Sequence, residues 1–155
     1  MNPQVQQARF VRVGIAAIVI LAASFMPWFT IRQAVPFGGI QIGNFNMTVT
    51  MPAVSAWKSN ITILAITLPN WILVAVAAGM AFTAWRSADG NWIPPKSLTW
   101  GLPIYGVCHT AYIMLLLISN GGRIGAGLLL TCAAFVWMLF TEIRKPALQS
   151  VMPLQ

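Results

Sequence analysis

His109 is the only histidine of the chain, and it stands in a stretch from Ser97 to Gly122 that carries no charged side chain. An imidazole in such a setting can relay a proton, ligate haem, or bridge helices through its two ring nitrogens. Tyr105 and Tyr112 lie four residues before and three after it, on the same helical face. Asn70 and Thr131 fall at comparable depth in two other apolar stretches, so His109, Asn70, Tyr105, Tyr112 and Thr131 make up the candidate ligand-binding or polar cluster. Ionisable groups within an apolar span are costly and usually face an interior, which makes His109 a functional candidate; the competing role is structural hydrogen bonding between helices. Cys108 does not form a nucleophile pair with His109, because neighbours on a helix point about 100° apart.

Little else in the chain can do chemistry. Asp89 and Glu142 are the only carboxylates. No acid–base pair, metal-ligand spacing or phosphate-binding loop is present, which points away from catalysis. No metal and no cofactor is expected. Haem held by His109 from two copies, or by His109 with Met80, is the alternative, although the eight methionines read mainly as packing.

Four charge-free stretches must position these residues: Val13 to Ile31, Ser59 to Trp85, Ser97 to Gly122 and Ile124 to Thr141. A helix needs roughly 17 to 25 apolar residues to cross the hydrocarbon of a bilayer. With 155 residues, 58% hydrophobic and 7% charged, the chain has room for these spans and their connections. The expected fold is an all-α integral membrane protein, an antiparallel four-transmembrane-helix bundle. The spans are placed at about 11–29, 61–85, 98–119 and 124–142 of one membrane domain covering 1–155, with a first outer loop 30–60, an inner loop 86–96 and a tail 143–155. The apolar run of the first span continues past Ala22 and Ser24 to Pro27, so it reads as a span rather than a cleaved signal. Pro69 would kink the second span.

The net charge of +7 does not form a nucleic-acid patch, because the basic residues cap span ends. Arg9, Arg12, Arg86, Lys96, Arg144 and Lys145 fall on one side and Arg32, Lys58 and Arg123 on the other. The positive-inside rule then puts both termini in the cytoplasm of a cell-membrane (inner-membrane), multi-pass protein. Trp28 and Phe29 suit the interfacial aromatic belt.

The first outer loop reads as a small extracytoplasmic β-hairpin or three-stranded sheet. Ile40 to Ile42, a Gly43-Asn44 turn and the alternating Phe45 to Met51 supply the hairpin, and Trp28 to Gln33 a third strand. Phe45, Met47, Val49 and Met51 share one strand face and form the candidate partner-binding surface. Inward seams of small and polar residues are expected at Gly14, Ala17, Leu21 and Ser24, then Thr67, Asn70, Val74, Ala77, Ala81 and Ala84. The third and fourth spans would present Gly101, Tyr105, Cys108, Tyr112, Leu115 and Ser119, and Gly127, Thr131, Ala134, Met138 and Thr141.

In layout, four spans with strands in the first outer loop resemble the claudin-type tetraspan proteins. The paired cysteines and Gly-Leu-Trp motif of that loop are absent from Thr30 to Asn60, and the second outer connection, Ser119 to Arg123, is far shorter, so the family's role is not carried over. The expected role is that of a non-catalytic accessory or interaction subunit, in contact with the lipid bilayer and with a membrane-protein partner or a second copy. The alternative is a haem-, quinone- or proton-handling redox or transport component built around His109.

Overall fold

Pro3 can open a helix because its missing amide hydrogen has no partner to lose there. From it runs α1, Pro3–Phe25, which stops before Pro27. A computed structural model describes residues 3–30, 32–34, 48–50, 53–63, 66–90 and 92–143. It is mostly helical. After α1 come β1 (Phe29–Thr30), β2 (Arg32–Ala34), β3 (Thr48–Thr50), a 3₁₀ turn (Ala56–Lys58), β4 (Asn60–Ile63) and β5 (Ile66–Pro69). Then follow α2 (Ile72–Ala88), α3 (Lys96–Ser119), β6 (Arg123–Ile124) and α4 (Ala126–Ile143). Three helices are long and apolar enough to cross a membrane, over Gln4–Phe25, Lys96–Ser119 and Ala126–Ile143; α2 is shorter.

Both α2 and α4 pack against α1, and both also pack against α3. At one end Arg9 reaches Glu142 and Ser87. At the other, Gly127 lies so close to the Ala23 carbonyl and the Trp28 ring that a Cβ there would collide with both. Helix α1 therefore runs opposite to α2 and α4. Between these ends Val13, Ile20, Leu73, Met80, Leu128, Phe135 and Met138 are fully buried and form the core. Gly106 of α3 leaves room for the Phe135 ring of α4, where a Cβ would overlap ring atoms.

The second apolar stretch differs from expectation. β4 and β5 pair antiparallel, with Asn60 opposite Pro69 and Thr62 opposite Thr67, and the helix begins only at Ile72, beyond the expected seam positions Thr67 and Asn70. Ile61, Thr62, Ile63, Ile66 and Thr67 are β-branched residues that suit a pleated surface as well as they suit a lipid-facing helix. Pro69 ends a strand and kinks no helix. The first helix also begins earlier than expected, at Pro3, because Gln4 to Arg9 continue its turns.

Of the expected hairpin or three-stranded sheet, the described residues show two-stranded pairs. β2 pairs with β3, Gln33 opposite Val49, whereas β1 pairs with β6, Phe29 opposite Ile124. Residues 40–47 and Met51 lie outside the described residues, and with them Phe45, Met47 and the Gly43-Asn44 turn. Trp28 does not join an exposed belt. It is fully buried, donates from Nε1 to the Ala23 carbonyl at 2.9 Å, and its backbone bonds Val54 and Gly125.

Of the expected seams, that of α4 is buried at Gly127, Thr131, Ala134 and Met138. The α3 seam is rotated: Gly101, Cys108, Tyr112, Leu115 and Ser119 are exposed, while Thr99, Pro103, Gly106, His109, Thr110, Ile113 and Leu117 point inward. Small residues on two faces of α3 made either rotation compatible with close packing, and the Phe135 ring selects the face with Gly106. In α1, Val13, Ala16, Ile20 and Ala23 replace Gly14, Ala17 and Leu21 on the buried face.

Candidate functional site

Asn70 occupies the turn between β5 and α2, with its carbonyl accepting the Leu73 amide at 3.2 Å. Its side chain is free of capping duty and reaches across to α3. His109 Nε2 and Asn70 Oδ1 are 3.2 Å apart, and His109 Nδ1 and the Tyr105 hydroxyl are also 3.2 Å apart. Asn70 Nδ2 donates to Ser59 Oγ at 2.9 Å, and Ser59 Oγ donates to the Ser55 carbonyl at 2.9 Å. The Asn70 amide to Ser59 carbonyl bond, 3.0 Å, holds the two segments together.

These contacts assign every hydrogen. Since Asn70 Nδ2 must donate to Ser59, Oδ1 faces His109 and accepts from Nε2–H. Nδ1 is then an acceptor, and Tyr105 donates to it. The result is a one-way chain of donors from Tyr105 through His109, Asn70 and Ser59 to the Ser55 carbonyl. His109 is 3% exposed and Asn70 2%, so neither shares these bonds with bulk solvent. The Tyr105 ring is tilted 53° to the imidazole with centroids 5.5 Å apart, as helical i and i+4 neighbours.

Three of the five residues expected in the polar cluster thus come together. Thr131 is buried but donates to the Gly127 carbonyl of its own helix at 2.8 Å, and Tyr112 lies on an exposed face of α3. Ser59 was not foreseen as a member. Its signal is a serine on the N-terminal side of the second apolar run, legible only once residues 60–69 are known to turn back on themselves. Both ring nitrogens of His109 are engaged, so ligating haem would require breaking the bond to Tyr105 or to Asn70. Met80 is fully buried in the core. Among the described residues no group of three His, Cys, Asp or Glu side chains converges.

A second polar centre was missed altogether. Arg9 of α1 donates from Nε to Glu142 Oε1 of α4 at 2.7 Å, with side chains 5% and 1% exposed. Arg9 Nη1 donates to Ser87 Oγ at 3.3 Å, and Ser87 donates on to the Thr83 carbonyl at 2.7 Å. Arg9 Nη2 is buried with no hydrogen-bond partner among the described residues. Charges near helix ends read in sequence as solvated caps, and only the packing of three helices buries this pair. Of the candidate partner face, Val49 pairs with Gln33 in the β2–β3 ladder.

A search of protein-family models, of curated proteins and of solved structures finds no match to this chain, so its function is argued from these residues alone.

Proposed function

We propose that this chain is a four-span integral membrane protein of the cell membrane with both termini cytoplasmic, acting as a non-catalytic accessory or interaction subunit. One observation carries the membrane reading: large apolar side chains cover the outside of the helices, while polar and charged ones are buried within an otherwise apolar core. Ile18 is 68% exposed, Leu115 65% and Trp137 57%, whereas Arg9, Asn70, His109, Thr131 and Glu142 are buried. In water so many exposed large apolar side chains are costly; in lipid they are the stable arrangement. At 17 residues α2 is about 25 Å long by helix rise, and the β4–β5 hairpin and Asn70 turn would complete that crossing. Non-helical backbone at such depth is stable when neighbouring protein satisfies its polar groups, as the Ser59 carbonyl does for the Asn70 amide.

Support for an accessory role comes from the polar residues being occupied with one another: His109 with Tyr105 and Asn70, Arg9 with Glu142. Among the described residues β2 and β3 form a two-stranded pair, and the edge of such a pair is where a partner strand would add. The candidate docking face is that of Phe45, Met47, Val49 and Met51, with Val49 in the ladder. Purification in mild detergent with and without Val49→Lys tests this role. A retained membrane partner or second copy that the variant loses, with the fold intact, is the expected outcome; equal retention, or no companion at all, refutes the role.

A second reading has its own support. His109 lies buried between Tyr105 and Asn70, and its imidazole, unlike the Asn70 amide beyond it, can take up a proton at one ring nitrogen and release one from the other. Proton flux into vesicles that His109→Leu abolishes would select this reading over the accessory role.

A further inference from the structure

On the outward side of the contact between α1 and α4, a groove of about 520 Å³ is lined by Arg12, Ala133, Val136, Trp137, Phe140 and Thr141. We propose that it binds one anionic phospholipid, with an acyl chain along α4 and the headgroup phosphate at Arg12. This rests on the membrane reading above.

The groove is polarised as a phospholipid is. Arg12 follows Arg9 by one turn of α1, and Thr141 precedes Glu142, so the polar end of the groove lies level with the Arg9–Glu142 pair. Ala133 lies eight residues back along α4, about 12 Å toward the middle of the helices, and the wall between is Val136, Trp137 and Phe140. Its volume falls in the range of roughly 300–1,000 Å³ typical of small-molecule sites.

Charge complementarity names the headgroup class. Arg9 already holds the Glu142 carboxylate, and among the described residues no carboxylate pairs with Arg12. Arg86 and Lys96 flank the loop at this same end, where Asp89 is the one other described acid. Thr141 cannot add a donor, because its hydroxyl hydrogen goes to the Met138 carbonyl at 2.6 Å. Arg12 is therefore the only charged donor among the groove's lining residues, with the Trp137 indole N–H a neutral one beside it. The site discriminates by net charge, favouring phosphatidylglycerol and phosphatidylserine alike over phosphatidylcholine, whose choline the guanidinium repels.

The test uses the full chain in nanodiscs of equimolar phosphatidylglycerol and phosphatidylcholine, with retained lipid identified by native mass spectrometry after mild delipidation. Wild type should retain phosphatidylglycerol over phosphatidylcholine by about fivefold, the equivalent of about 1 kcal/mol for one basic residue at an anionic surface. Phosphatidylserine in its place should give the same ratio. Arg12→Gln should bring the ratio close to one, and Arg12→Lys should keep it. Ala133→Phe, at an exposed position, should lower retention of both lipids by filling the groove. An unchanged ratio in Arg12→Gln overturns the proposal, as does undiminished retention in Ala133→Phe. Displacement by glycerol phosphate would mean a site for a free anion and overturn it too. Alkaline carbonate extraction is run in parallel: release of the wild-type chain from membranes would refute the membrane reading itself, whereas a retained chain without lipid preference refutes only the groove.

Discussion

Arg9 and Glu142 stand 133 residues apart in the chain and 2.7 Å apart in space, joining the first helix to the last. Both side chains are almost wholly buried, and Arg9 adds Ser87 of α2 to the same centre. Removing one member takes from the other its charged partner in a site almost closed to water. Glu142→Leu or Arg9→Leu is expected to cost about 3–5 kcal/mol, while the double change Arg9→Met with Glu142→Met should recover most of that loss. Thermal unfolding in detergent measures it, and a double variant as unstable as either single one would contradict the pairing.

A smaller cost is expected at the histidine. His109→Leu removes two hydrogen bonds and leaves Asn70 Oδ1 unpaired, a loss of about 1–2 kcal/mol. Asn70→Ala should cost a similar amount, and the two together clearly less than the sum, because they cut the same chain. Additive losses in the double-variant cycle would show that the bond between them carries no energy.

Gly106 and Phe135 offer a test of the α3 rotation. Gly106→Ala places a methyl group within the Phe135 ring and should destabilise by about 1–3 kcal/mol, with Phe135→Leu in the same chain restoring part of it. By contrast Gly101→Ala, with open space at its Cβ, should be neutral or slightly stabilising. Similar stability for the Gly106 and Gly101 variants would mean that α3 presents a different face.

Sidedness is readable by thiol labelling. In a chain whose Cys108 and Cys132 are replaced by Ala, a cysteine at exposed Lys58, in the turn before the hairpin, should react with an impermeant reagent on intact cells. One at exposed Asp89 should react only after lysis, as the basic residues around the α2–α3 loop require. The opposite pattern would invert the proposed orientation.

Much of this architecture is local in origin and so was legible in the residue order. Hydropathy accumulates over a single stretch, and the charge-free runs around α1, α3 and α4 announce helices without reference to any neighbour. The α4 face of Gly127, Thr131, Ala134 and Met138 could be read for the same reason, from small and polar residues recurring at helical spacing. Depth counted from the span ends also brought His109, Asn70 and Tyr105 to one level, and they are bonded.

What remained undecided depended on groups distant in the chain. An apolar, β-branched run such as Ile61 to Thr67 satisfies its backbone equally well as helix or hairpin; Ser59 and Asn70 bonding to each other close the hairpin. The rotation of α3 awaited the Phe135 ring, because small residues lie on more than one of its faces. Trp28 passed for an interfacial aromatic until Ala23, Val54, Gly125 and Gly127 closed around it. The Arg9–Glu142 pair was the least visible of all, since a charge at a helix end looks solvated until a helix from the far end of the sequence packs over it and takes the water away.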